Sequence, residues 1–333
     1  MNAIRSFVIA VTTLILVTSG SSAADLQTIR ISMAAKTMTY APYLVAMDKG
    51  YYEQEGLKLD ITLAGGGVAT PAQLSGQIDI NTSGPVALTP ILRGAPLKIV
   101  YTIANHSNFQ LWSTSKSIKT LRDLKGKQIA VNTRGDLFEI ATKLALLRAG
   151  LPLDWVNYTA INSGGATEQV FASKALPGVV MTLYDVAAAK QQNVLNQGVL
   201  VSNMFRDIPM PYSGVAVTDA YIKDHADALR AFIRATIKGM RYMKKYKAQT
   251  LSIVARYQTQ PDHDASEHYD QLMQTFTKDG TIANDVARED MFVRASVLEI
   301  PRDQVPPLDK AYNYDFVHTA NADLDKMHWT PQP

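Results

Sequence analysis

Strand and helix patterns alternate along the first two thirds of this chain, and that alternation restricts the fold more than any other feature. The stretch "YAPYLVAMDKGYYEQEGLKLDI" (residues 40–61) shows one unit of it. Pro42 suits a first helical turn, where a missing N–H costs nothing. Gly50 suits the left-handed residue that ends a helix, with Lys49 facing the negative end of the dipole. From Leu57 the pattern changes: Leu57, Leu59, Ile61 and Leu63 fall on one face, Lys58, Asp60 and Thr62 on the other. That period of two is a strand with one wetter side. Such units recur. "TIRISMAA" is a strand and "KTMTYAP" a polar loop into the first helix; "LKLDITLA", "QIDINT" and "LKIVYTIA" are further strands, separated by "GGGVATPAQLSG" and "SGPVALTPILRGAP". Alternating units of this kind imply an α/β fold with right-handed crossovers and a parallel sheet.

Around Ser115–Lys119 the composition shifts to small and polar residues, and "IKTLRDLKGKQIAV" opens a second series. Gln128–Asn132 reads as a strand. The helix after it carries Leu137, Ile140, Ala141 and Leu144 on one stripe, with Asp136 as cap and Glu139 three residues on. "WVNYTAI", "NSGGATEQVFASK" and "GVVMTLYDVAAAKQQ" continue the alternation, and Ser213–Thr218 ("SGVAVT") reads as a return to the first series. Thereafter the chain is mostly helical, with a long helix from about Ala226 to Tyr246. The pattern therefore predicts two lobes, residues 25–114 with 214–333 and residues 115–213. A two-strand hinge is expected near Ser113–Lys119 and Pro211–Ser213.

The first 24 residues stand apart. Arg5 lies in a short charged start, Phe7–Val17 is apolar, and "SGSSAA" supplies small residues at a cleavage site, which predicts a secretory signal ending before Asp25. The apolar run is shorter than the roughly 18 residues of a membrane anchor. The chain has no cysteine, so disulfides, thiol nucleophiles, thiolate metal sites and a lipid-modified cysteine are all excluded. A periplasmic location follows as the expectation. A net charge of +3 gives no reason for a nucleic-acid surface. His263 and His268 lie five apart, and no His-Glu-x-x-His or Gly-x-Ser-x-Gly motif occurs, so no metal, cofactor or catalytic triad is expected.

Ligands of open parallel sheets sit beyond the carboxyl ends of the strands. The loops landing there are Lys36–Tyr40, Gly65–Val68, Asn81–Gly84, Thr133–Asp136, Asn162–Gly165 and Thr182–Asp185. Most lead into helices, whose N-termini favour anions. The candidate ligand contacts are Lys36, Thr37, Tyr40, Gly66, Gly67, Thr82, Ser83, Thr133, Arg134, Gly135, Ser163, Thr182, Tyr184 and Tyr212. Arg134 can grip a carboxylate or sulfonate with two parallel bonds, or pair with Asp136 or Glu139 on its own turn. Lys36 is a second cation or a solvated lysine. Gly65–Gly67 lets a ligand approach the backbone or makes a tight turn, and it lacks the Gly-Lys-Ser/Thr ending of a phosphate loop. Tyr40, Tyr43, Tyr184 and Tyr212 stack on a ligand or belong to the cores. Asp185 caps its helix or holds an amine. The basic run Arg241–Lys247 is a solvated helix end or a permease contact.

"APYLVAMDKGYYEQEGLKLDI", "GQIDINTSGPVAL", "LRDLKGKQIAVNTRG" and "VTDAYIKDHADALRAFIRA", in this order and spacing, resemble a periplasmic solute-binding protein of an ABC importer. The branch is that of the nitrate, sulfonate and taurine binders, which also includes binders of thiamine-pyrimidine precursors. The resemblance spans the chain after residue 24. It implies a two-lobed type II binding fold, with two parallel or mixed sheets flanked by helices. It places the ligand in the interlobe cleft, on loops matching Lys36–Tyr40, Gly65–Val68, Thr82–Gly84, Thr133–Gly135 and Thr182–Tyr184. It further implies a monomer whose partners are a small molecule and a membrane permease, with no nucleic acid. Relatives often carry a serine-, glycine- and threonine-rich loop where this chain has Thr133–Asp136, so Arg134 points to a bulkier acidic ligand than taurine or nitrate. The resulting expectation is capture of a small organic anion, a carboxylate or sulfonate with room for an aromatic body. The alternatives are a pyrimidine-like heterocycle held by tyrosines and Asp185, a sensory or chaperone partner, or an enzyme on the same fold, such as the pyrimidine synthases and chorismate dehydratases, though the synthases' cysteine-rich motif is absent.

Overall fold

The computed structural model describes residues 26–161, 167–258 and 264–333. The expected signal segment, Ser163 with its glycine loop, and His263 lie outside the described residues. The opening unit forms as read: a helix Ala41–Asp48 with Pro42 in its first turn, Gly50 at φ 65°, a short turn Tyr51–Gln54, then the strand Leu57–Leu63. Burial along that strand fades from Leu57 to an exposed Leu63, because it is the edge of its sheet.

Ten strands make two five-stranded sheets. The first combines β1 (Gln27–Met33), β2 (Leu57–Leu63), β3 (Ile80–Asn81), β4 (Leu97–His106) and β10 (Pro209–Thr218) in the order β2-β1-β3-β10-β4. The second combines β5 (Phe109–Ser113), β6 (Gln128–Val131), β7 (Asn157–Ala160), β8 (Gly178–Thr182) and β9 (Val199–Ser202) in the order β7-β6-β8-β5-β9. In each sheet three neighbouring strands are parallel, and a strand adjoining a crossing (β10, β5) pairs antiparallel with them. Helices flank both sheets, giving the mixed, two-lobed α/β architecture.

The crossings lie earlier than the sequence pattern placed them. The chain leaves the first sheet at Ser107–Asn108 and returns over residues 203–208, not near Ser113–Lys119 and Pro211–Ser213. Phe109–Ser113 is an antiparallel strand of the second sheet, and it follows β4 after only two residues, with no glycine or proline to mark the change. The return strand starts at Pro209 because it is paired there with His106; the ladder shifts register before Ser213, where Pro209 and Pro211 offer no N–H. The boundaries expected at residues 114 and 213 move accordingly. The helix Asn284–Val297, assigned to the first lobe, touches both: it meets Leu88–Leu92 and β10 on one side and the helix Leu137–Arg148 on the other, with Arg148 bonded to Glu289 at 2.6 Å.

The larger core gathers on the helix Ala226–Lys245. Phe232 stacks on Tyr52 at 5.3 Å and on Tyr43 at 6.2 Å, and the Tyr52 hydroxyl bonds Thr236 at 2.9 Å. Tyr43 is thus core, one of the two roles open to it. The basic run at the end of this helix is tied down within its own lobe: Arg241 bonds Asp325 and Lys247 bonds Asp270, each at 2.6 Å.

The loop after β6 is fixed from within. Asp136 caps the helix Leu137–Arg148 by accepting from the Glu139 N–H at 3.1 Å and from the Thr133 N–H at 2.7 Å. The Glu139 carboxylate is fully buried and reaches not the Asp136 N–H but the Gly135 N–H at 3.0 Å, the Arg134 Nε at 2.8 Å and the Lys143 Nζ at 3.2 Å. Burial pulls its pKa up; Arg134, the Gly135 N–H and Lys143 outweigh burial and hold the carboxyl below the usual range.

Two outcomes follow from this architecture. A Cβ on Gly239 would lie 2.2 Å from the Pro42 carbonyl oxygen, where the Ala226–Lys245 helix crosses Ala41–Asp48. Gly239→Ala is expected to lower the urea midpoint by roughly 2 kcal/mol of stability with an unchanged slope. Glu139→Gln is expected to cost roughly 1–3 kcal/mol at neutral pH. The Glu139 contribution is complete above the unfolded carboxylate pKa of about 4.3. It is lost as pH falls through the lower folded value, so the gap between the two proteins in acid titrations of stability should close only in that acidic range.

Candidate functional site

A cavity of about 740 Å³ lies between the lobes, walled by both of them. From the first lobe come the glycine turn Gly65–Gly67 at the start of the helix Gly66–Leu74, then Val68, Pro71 and Leu74, with Val86, Thr89 and Pro90 behind. A Cβ on Gly66 would sit 2.7 Å from the Val86 side chain, so that glycine is set by close packing; Gly67 has nothing within 4 Å. From the second lobe come Asn132 to Phe138 and Thr182, and Phe109 at the start of β5 and Tyr212 on β10 add the wall next to the crossings. Val68 and Leu74 are 69% and 44% exposed, so the wall presents bare apolar surface to solvent.

Among the residues expected at the ligand, Gly66, Gly67, Thr133, Arg134, Gly135, Thr182 and Tyr212 line this cavity. Arg134 does so with its guanidinium already engaged: Glu139 takes two of its bonds, and the Tyr158 ring lies 5.6 Å away. The local pairing foreseen as its second role is the one observed. Thr182 and Asp185 form a reciprocal cap on the helix Leu183–Gln191, the Thr182 hydroxyl donating to Asp185 at 2.7 Å and accepting from its N–H at 3.1 Å. Asp185 is therefore a cap.

Lys36, Thr37, Tyr40, Thr82, Ser83 and Tyr184 do not line the cavity, contrary to expectation. The loop after β3 spends its donors internally. The Thr82 hydroxyl donates to the Ser32 carbonyl at 2.6 Å and the Ser83 hydroxyl meets the Tyr40 hydroxyl at 3.2 Å. Ser32, Asn81, Thr70 and the Gly66 carbonyl form one buried chain of bonds, because polar groups this deep must be paired. Lys36 lies over the Tyr257 ring at 6.0 Å, Thr37 makes no side-chain cap bond, and Tyr184 packs on His268 at 4.2 Å.

Other wall residues were not anticipated. Phe109 and Phe138 stack with centroids 4.3 Å apart, and Tyr212 meets Phe109 edge-on at 5.5 Å. The Tyr212 hydroxyl donates to the Asn108 side chain at 2.7 Å, and burial raises its pKa. Arg294, on the helix Asn284–Val297, is 2% exposed yet lines the cavity. Its Nε bonds Asp290 at 2.7 Å; its Nη2 has no partner among the described residues. Burial outweighs the Arg294 charge and pushes the Asp290 carboxyl up. Arg294 also lines an adjoining recess of about 320 Å³ with Thr89, Arg93, Arg134 and Gly135. A signal for this pair was present: Ala287, Asp290, Met291, Arg294 and Ala295 share one helical stripe, so the charged pair rides on an otherwise apolar face.

Among the described residues no group of histidines and carboxylates is placed to hold a metal ion, and no helix is long and apolar enough to cross a membrane. The family model described as NMT1/THI5 like matches residues 37–249. The riboflavin-binding protein RibY of Chloroflexus aurantiacus is 27% identical over 224 residues, 65% of this chain and 62% of RibY, so the chain spans less than two thirds of that relative's length. The periplasmic aliphatic sulphonate binding protein SsuA from Escherichia coli superposes with a TM-score of 0.67 at 17% identity, over 84% of this chain and 94% of SsuA. The desulfurization enzyme DSZB superposes with a TM-score of 0.60 at 12% identity, over 89% of this chain and 99% of DSZB. At such identities the likeness establishes the fold, which binding proteins of importers and an enzyme share. With the family match running over more than half of its length, on a two-lobed periplasmic-binding-protein fold, this chain belongs to the NMT1/THI5-like family.

Proposed function

We propose that this protein is the secreted solute-binding component of an ABC importer, capturing a small organic anion, carboxylate or sulfonate, with an aromatic or apolar body. The observation that carries this reading is the 740 Å³ cavity walled by both lobes. Its volume is that of a site for a drug-sized molecule, and its wall is mainly apolar with a few polar groups, as such sites are. A ligand touching both lobes has more contacts when they close, and that difference in affinity is what shifts the population toward the closed form a permease would recognise. The backbone N–H groups of Gly66 and Gly67, in the first turn of their helix, would offer donors, while Phe138 and Tyr212 flank the body. Secretion, a periplasmic location, action as a monomer and docking to a permease belong to the same proposal. They draw on the signal-like residues 1–24 and on the likeness to periplasmic binding proteins.

The ring cluster Phe109, Phe138 and Tyr212, together with the RibY likeness, favours a second reading in which the guest is a heterocycle stacked on those rings. Catalysis is the less favoured reading: the wall's one carboxylate, Asp136, is taken up in capping its helix, and among the described residues the wall carries no histidine, serine or lysine.

A thermal-shift screen of the protein without residues 1–24, followed by calorimetry, tests the proposal. Aromatic and aliphatic carboxylates and sulfonates, flavins and pyrimidines form the panel. A true ligand at 100 times its Kd adds about 2.7 kcal/mol of stability. An acid hit with one site supports anion capture, a flavin or pyrimidine hit supports the second reading, and a silent panel refutes both. Phe138→Ala is expected to raise the Kd of the best hit by roughly tenfold or more through lost ring contact. An unchanged Kd would put the guest somewhere other than between the lobes.

A further inference from the structure

We propose that the recess beside the main cavity is the seat of the ligand's acid group, held by Arg294 and Arg93, so that the guest is an elongated organic oxyacid. Its aromatic or apolar body would fill the larger cavity and its anionic end the recess. The inference rests on the capture reading and specifies where the charge goes. Arg93, Arg134 and Arg294 all line the recess and no carboxylate does, while Ile140, Val297 and Leu298 close it with apolar surface. The three cations are not equivalent. Arg134 is spent on Glu139. Arg93 is exposed, and its side chain forms no hydrogen bond or ion pair with the described residues. Arg294 is 2% exposed, gives one bond to Asp290 and leaves its Nη2 unmatched. A guanidinium carries five N–H donors, and a buried one left unmatched is costly unless something accepts from it. An oxyanion is the acceptor whose two oxygens fit a guanidinium edge.

The two spaces share part of their wall. Thr89, Arg134, Gly135 and Arg294 line both, so a molecule whose body fills the larger cavity has its acid end beside the recess. Arg294 also stands on the helix that touches both lobes, so an anion seated there bears on their relative position.

The test uses the chain from Asp25 onward and a matched pair of probes in calorimetry, 2-naphthalenesulfonate and 2-naphthol, which share a ring body and differ in the acid. The expected result is a preference for the sulfonate of at least roughly tenfold, and a fall of roughly tenfold in that preference for Arg294→Gln and for Arg93→Gln. Should Arg294→Gln not yield folded protein, Arg93→Gln, a change at an exposed side chain, decides alone. Equal binding of the two probes, no binding of the sulfonate, or a preference kept in the folded variants overturns the acid seat. If a neutral compound from the screening panel binds with one site while the sulfonate does not, capture stands without the seat. A silent panel overturns capture itself.

Discussion

Everything in this molecule hangs on two strand segments that leave one sheet and enter the other side by side. At the first crossing, Ser107 and Asn108 are buried, and a buried backbone without a regular partner must find bonds locally. It does so across the crossings and into the second lobe. The Asn108 carbonyl accepts from the Leu183 N–H at 2.9 Å, and its side chain accepts from the Tyr212 hydroxyl on the returning strand at 2.7 Å. Tyr212 packs against the cores of both lobes, so the one residue is hinge, core link and cavity wall. With the crossings so tied, any relative motion of the lobes would turn about this point, and the space that would change is the cavity it borders.

The second constraint is that loops at strand ends cannot serve two masters. The loop after β3 reads in sequence as a row of donors facing a cleft, yet Thr82, Ser83 and Asn81 are turned inward to β1, Tyr40 and Thr70. They hold the glycine turn Gly65–Gly67 in place through the Thr70 bond to the Gly66 carbonyl at 2.8 Å. That is a positioning role: Asn81, Thr82 and Ser83 sit one layer behind a first-lobe wall made mainly of glycine, proline and aliphatic carbon, with Thr70 and Thr89 as its polar members. Arg134 shows the same economy in the other lobe, its charge fixed against Glu139.

This explains what the sequence could and could not reveal. Local signals were sufficient for the elements: Pro42 and Gly50 bound their helix, Asp136 caps its own, Asp185 joins the cap of its own although Thr182 holds the N-cap position, and the two alternating series became two sheets. The first crossing was missed because only Ser107 and Asn108 separate β4 from β5, with no glycine or proline to mark the change. The start of β10 was missed because Pro209 and Pro211 read as a break, although His106 pairs with Pro209. Which loop residues face the cavity depends on long-range bonds such as Ser32 to Asn81, which no local pattern encodes. Arg294 is the sharpest omission. Its place on an apolar stripe was visible, but only the fold brings that stripe from near the chain's end to the gap between the lobes.

The Asp290–Arg294 pair then invites a physical question: why retain it there at all? Replacing a buried ion pair with hydrocarbon often leaves stability unchanged or better, so burial of charge is weak evidence of a structural purpose. Here the pair is incompletely matched on both sides, with Asp290 Oδ1 and Arg294 Nη2 both lacking partners among the described residues and the Tyr312 hydroxyl also unmatched. A pair kept for stability alone would be expected to have its bonds closed. A guanidinium held in register by one carboxylate oxygen, with a nitrogen in reserve beside two adjoining cavities, is instead arranged to receive a further acceptor. Helix Asn284–Val297 carries it against both lobes, and Val293 packs into the second-lobe core while Met291 and Ala295 pack into the first. Charge that arrives at Arg294 therefore arrives at the seam, where a single new bond acts on both halves of the protein.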